Sequence, residues 1–141
     1  MTPHAVGLVQ ESWARLAGRE ARLAAVFYAR LFALGPELRR LFIDTDARAL
    51  RGKLTAMLDL FVRTLDRPDD FATELAASAR RHELYGVGPQ AYRIGGEALL
   101  WALARELGPA FTGEVQGAWA EAYTLLADRM AREGNRTRSG G

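Results

Sequence analysis

A chain of 141 residues is the length of one domain, and at that size about 70% of the unfolded surface can be buried without staples. It contains no cysteine, which excludes disulfides, thiolate metal sites and thiol nucleophiles and is compatible with a reducing cytoplasm. The net charge is only +2, and its cations, arginines apart from Lys53, are spread among acids with no basic stripe, which argues against a nucleic-acid partner.

The hydrophobic spacing is helical almost throughout, and no repeat or linker divides the chain. Thr2-Pro3 reads as an N-cap followed by proline in the first turn, opening a helix through Val9 and Trp13 towards Gly18. A second helix spans Glu20 to Leu34 and carries Leu23, Val26, Phe27, Leu31 and Phe32 before Gly35-Pro36 stops it. Pro36 to Phe42 is a short helical turn. After "DTD" a helix from Ala47 to Leu65 places Leu50, Leu54, Met57, Leu58 and Phe61 on one face, with Arg51, Thr55, Asp59 and Arg63 opposite.

Pro68 opens the next helix, with Asp69 and Asp70 in its first turn, where the helix dipole favours acids. It runs to the "YGVGP" break. Pro89 to Leu107 is apolar nearly all round (Ile94, Ala98, Leu99, Leu100, Trp101, Leu103) and should be central. Its Gly95-Gly96 pair suggests that another backbone or a flat ligand comes close. The last helix begins at Thr112 and buries Val115, Trp119, Ala122, Leu126 and Met130. The expected fold is all-α, about seven unequal helices over residues 1–132. The polar, Gly-rich residues 133–141 read as a disordered tail. No stretch reads as a leader or as a membrane span, so the expectation is a cytoplasmic protein.

His82 is one of two histidines. On its helix it shares a stripe with Phe71, Leu75, Ser78 and Ala79, so it sits on an apolar face beside small residues. The plain reading is a core or surface histidine. No second His, Cys or close carboxylate pair completes a zinc site around it, and no Gly-x-Ser-x-Gly elbow accompanies it. A single axial histidine does suit haem, whose porphyrin supplies the other four ligands to iron.

Six motifs in order carry a family resemblance: "ESW" at Glu11, "FYARLF" at Phe27, Pro36 with Leu41-Phe42, "RRHELYGV" from Arg80 to Val87, "AYRIGGEALL" from Ala91, and "AWAEAY" from Ala118. Through them the chain, from about Val6 to Ala131, resembles the globins, most of all the bacterial single-domain globins related to flavohaemoglobin haem domains and to neuroglobin. The resemblance implies a globin fold around haem b (iron protoporphyrin IX). It makes His82 the iron ligand and Phe42 the residue packed on the porphyrin face, with Val87 among the cofactor-binding positions. Tyr92, ten residues after His82, matches the proximal tyrosine of the flavohaemoglobin-like branch; a plain core residue is the other reading. The glutamate that some relatives place on the last helix has Glu133 as its nearest match, without a matching spacing.

On the opposite face the resemblance gives Tyr28 the distal role. A buried phenol needs an acceptor, and leaving it without one costs about 1–3 kcal/mol. A bound O₂, carrying partial negative charge, is one acceptor; a backbone carbonyl is the other. Where many relatives carry histidine or glutamine this sequence has Leu50, with Leu54 one turn on. The expectation is therefore an open, apolar, five-coordinate ferrous site gated by these two leucines. Lys53 or Arg51 could reach a haem propionate; simple solvation is the other reading for both.

The implied function is reversible binding of O₂, CO or NO. NO dioxygenation would require an external reductase, since no segment here reads as a flavin or nicotinamide domain. A haem gas sensor acting through a partner protein is the second class, and a globin-shaped module without haem the third.

Overall fold

A computed structural model of the chain describes residues 1–42, 46–76 and 89–140. Among them are six α-helices, two 3-10 segments and no strand, so the all-α expectation holds. The helices are α1 (Pro3–Ala14), α2 (Glu20–Leu34), α3 (Ala47–Arg63), α4 (Pro68–Ala76), α5 (Pro89–Leu107) and α6 (Gly113–Gly140).

Capping explains most starts. The Thr2 hydroxyl accepts from the Ala5 amide at 3.1 Å, Asp46 accepts from Ala49 at 3.2 Å, and Thr112 accepts from Val115 at 3.2 Å. Each satisfies an amide that the first turn leaves without a helical partner. The ends differ more from expectation. α1 stops at Ala14 instead of running to Gly18, because the chain tightens there: the amides of Leu16 and Ala17 bond back three residues, to Trp13 and Ala14. Gly18 then takes φ +86°, a left-handed conformation that glycine adopts without steric cost.

α3 likewise ends at Arg63, short of Leu65, with the buried Thr64 hydroxyl donating to the Leu60 carbonyl at 2.8 Å. That side-chain bond competes with the backbone ladder at the point where the helix stops. The segment 36–42 is a 3-10 turn. α6 continues through residue 140, over the polar stretch whose composition reads as a tail. Extending a formed helix adds one bond per residue fixed, whereas nucleating a new one is costly.

α2 lies along α5 in the most extensive helix pair, and α1 packs on α6. The α6 face expected to be buried, Val115, Trp119, Ala122, Leu126 and Met130, is buried. Trp119 lies 6.3 Å from Trp13, ring centre to ring centre. Its indole N–H donates to Ser12 Oγ at 2.8 Å, and that hydroxyl donates to the Leu8 carbonyl at 2.7 Å, so the buried polar pair is satisfied. α5 departs from its expected apolar surround along one stripe, where Arg93, Glu97, Trp101, Ala104 and Arg105 are exposed; Trp101, at 37%, is the large hydrophobic among them.

Candidate functional site

α2, α3, α5, α6 and the 36–42 turn enclose a cavity of about 250 Å³. Each wall follows from a helical stripe. α2 contributes Phe27, Tyr28 and Leu31, one helical turn of one face. α3 contributes Leu50, Lys53, Leu54, Met57 and Leu58, the hydrophobic stripe with the lysine at its border. The 3-10 turn adds Leu38 and Phe42, and α5 adds Ala91, Tyr92, Gly95 and Leu99. α6 closes the space with Tyr123, Leu126 and Met130.

Tyr28, Phe42, Leu50, Lys53, Leu54 and Tyr92 thus meet around one space, although they are spread over 65 positions of sequence. His82 and Val87 lie outside the described residues. Arg51 is not in the lining, so of the two cations considered for a propionate only Lys53 borders the cavity.

Tyr28 sits in an aromatic cluster. Its ring meets Phe27 edge-on at 4.9 Å and Phe42 edge-on at 5.9 Å, and stacks on Phe32 at 6.0 Å. These are the edge-to-face and offset arrangements that aromatic quadrupoles favour. The Tyr28 hydroxyl donates to the Leu50 backbone carbonyl at 3.4 Å. That is well beyond the 2.7–2.8 Å usual for such a bond, so the donor is weakly held. Burial pushes the Tyr28 pKa above its ordinary value, because the phenolate would lose hydration. The group therefore stays a neutral donor at physiological pH.

The opposite side of the cavity holds a feature that sequence reasoning missed. The Tyr123 hydroxyl donates to the Tyr92 carbonyl at 2.6 Å, and its ring lies on the Gly95-Gly96 pair. A Cβ on Gly95 would stand 2.7 Å from the Tyr123 hydroxyl, and one on Gly96 2.9 Å from its ring. The close neighbour of those glycines is a side chain from α6 rather than another backbone, and Gly95 also lines the cavity. The available signal was that Tyr123 follows Trp119 by one turn, which puts it on the buried face of α6. Burial, and secondarily Tyr92, push the Tyr123 pKa up as well.

The lining is apolar and aromatic apart from three phenols and Lys53, the one cation among the described lining residues. Such a surface matches a flat amphiphile with a hydrocarbon body and an anionic edge. Porphyrin has that chemistry, so the residues present fit a haem.

Comparison with known proteins agrees. A family model described as Globin matches residues 25–130, a span containing every described lining residue. The chain is 34% identical to the flavohemoprotein of Xylella fastidiosa (strain 9a5c), covering 99% of this chain and 37% of that protein. It is 30% identical to the neuroglobin of Danio rerio, covering 89% of this chain and 87% of that one. The flavohemoprotein of Deinococcus radiodurans is 33% identical, with 92% and 33% covered. The chain thus spans about a third of the length of the flavohemoproteins it matches and most of the length of the neuroglobin.

Proposed function

The chain belongs to the globin family, and from that premise we propose that it holds haem b in the cavity between α2, α3, α5 and α6 and binds diatomic gases there. The observation that carries this reading is the convergence of Tyr28, Phe42 and Tyr92 on one apolar space bordered by Lys53. When bound, haem supplies a ferrous centre that takes O₂, CO or NO as a ligand.

In this reading His82 would ligate the iron, and Val87 and Phe42 would be among the residues that hold the macrocycle. Lys53 meets a propionate. Tyr28 turns its weakly held hydroxyl from the Leu50 carbonyl to the gas. Leu50 and Leu54 exclude water from that side and bring no side-chain group able to ligate, which leaves the position open. Tyr92 would stand on the proximal side, as the resemblance implies; its backbone carbonyl accepts from Tyr123.

A finer reading is oxidation of NO by O₂ to nitrate, and the flavohemoprotein relatives, whose name joins a flavin to a haem protein, support an electron donor for it. Converting NO and O₂ to nitrate would consume one electron per turnover, so we assign a reductase as partner. The absence of cysteine fits a reducing cytoplasm as the setting.

The test is an absorption spectrum of the purified protein in ferric, ferrous and CO-bound states. One broad visible band in the deoxy-ferrous state is the expected result. Sharp split bands would show a sixth ligand from the protein and overturn the open site. Loss of the pigment in His82→Ala is expected as well, and full retention would overturn the assignment of the ligand.

A further inference from the structure

Away from the cavity, the outer seam between α2 and α5 carries an arrangement with no part in gas binding. The two helices run antiparallel: Arg22 meets Glu106 at 3.1 Å, Arg30 meets Trp101, and Gly35 adjoins Ile94. Along this seam a shallow groove of about 360 Å³ is lined by Val26, Ala29, Arg30, Ala33, Trp101 and Arg105. Trp101 is 37% exposed, whereas Trp13 is 9% and Trp119 1% exposed. Two guanidinium groups flank its ring, Arg30 at 4.7 Å and Arg105 at 4.8 Å from the centroid.

Neither of these arginines has a carboxylate partner among the described residues, although Arg22 in the same seam does. Arg30 Nε is in addition buried with no hydrogen-bond partner. We propose that this seam is a docking surface for a carboxylate-rich segment of a partner protein. The chemistry is complementary in kind. A guanidinium presents a planar fork of donors that matches a carboxylate in two-point fashion. Stacking on Trp101 holds both forks in place before binding, so less side-chain freedom is lost on association. Tryptophan and arginine are also the residue types that most often dominate interface energetics.

Other occupants fit less well. An anionic membrane surface is met by clusters of roughly four to eight basic residues, far more than this seam offers. The concave, small-residue floor of Val26, Ala29 and Ala33 suits an inserted side chain. The inference does not depend on what the cavity holds.

The test titrates the full-length, isotope-labelled protein with a short Asp/Glu-rich synthetic peptide and follows the Trp101 indole N–H resonance. A saturable shift is expected, with binding weakened about tenfold by Arg30→Gln or Arg105→Gln and weakened by added salt. The control Arg39→Gln/Arg40→Gln, on the 36–42 turn, should bind as the parent does. Equal weakening by that control would show general attraction to a basic protein and overturn the site. So would no saturable shift, a shift produced only by phosphatidylserine vesicles, or one produced only by concentrating the protein itself.

Discussion

Tyr123 on α6 donates its hydroxyl to the backbone carbonyl of Tyr92 on α5 at 2.6 Å, and reaches it only because Gly95 and Gly96 leave room for its ring. The bond ties the two helices at the edge of the cavity. It also fixes the backbone of Tyr92, whose side chain lines that cavity.

Substitutions across this contact separate ring from hydroxyl. Gly96→Ala meets the ring, so it should destabilise by about 1–3 kcal/mol, or roughly 4 °C of Tm per kcal/mol in a domain of this size. Gly95→Ala meets the hydroxyl itself. Tyr123→Phe removes that hydroxyl at a cost of about 1 kcal/mol. The pair Gly95→Ala/Tyr123→Phe should therefore cost less than the sum of its parts, while Gly96→Ala/Tyr123→Phe should not. Thermal melts of both double-mutant cycles check this, and additivity in the Gly95 cycle would contradict the contact.

The same contact shows where reading the chain as a string stops short. The spans of α2 and α5 and the buried face of α6 follow from hydrophobic period and Gly/Pro punctuation, and all three hold. The cavity residues from Tyr28 to Tyr92 follow from the family resemblance, not from period. Period says that a glycine pair admits a close neighbour, but not which helix supplies it. It also cannot see that Tyr28 has a backbone acceptor, the Leu50 carbonyl. Trp101 counts as apolar by type, yet two arginines make the solvent side of α5 a tolerable place for it.

The buried phenols give stability an alkaline limit. The folded-state pKa values of Tyr28 and Tyr123 are raised above the ordinary 10.0 by burial. Above pH 10 the unfolded chain releases these protons while the folded chain keeps them. Stability is fully present below that pH and falls as pH rises beyond it, by up to about 1.4 kcal/mol per pH unit for each phenol. Urea unfolding between pH 8 and pH 11 should show stability flat at first, then declining around pH 10 and approaching that slope near pH 11. Tyr28→Phe and Tyr123→Phe should each flatten it.

In the core, Ser12 couples α1 to α6 through the Trp119 indole. Ser12→Ala leaves that buried N–H without its acceptor and should cost about 1–3 kcal/mol. Ser12→Ala/Trp119→Phe removes donor and acceptor together. Its measured stability should exceed the value obtained by adding the single losses.

Tyr28→Phe addresses the gas side of the proposed function. The hydroxyl is held only by a 3.4 Å contact to Leu50, so little is lost when it turns to a ligand. Removing it should speed O₂ release about tenfold, the equivalent of a bond worth about 1–1.5 kcal/mol. CO carries less negative charge at its outer atom, so its release should change far less. Stopped-flow displacement of both gases measures the contrast; equal effects on the two would assign the change to lost packing.

Leu50→His tests the open position from the opposite direction. Leu50 and Leu54 present only hydrocarbon to the cavity, and they lie on the α3 wall beside Tyr28. A histidine at position 50 brings an imidazole nitrogen, the ligand type that iron in haem takes most readily. The deoxy-ferrous spectrum should change from one broad band to sharp split bands. CO binding should then slow, because the gas must wait for the new ligand to leave. Met57 lines the same wall and its thioether is a further possible donor, so Met57→Leu is the companion variant. If the parent already shows split bands and Met57→Leu removes them, the sulfur occupies the position and the open site falls. If the parent shows the broad band and Leu50→His leaves it unchanged, the side chain at position 50 does not face the iron, and the gating role given to it falls.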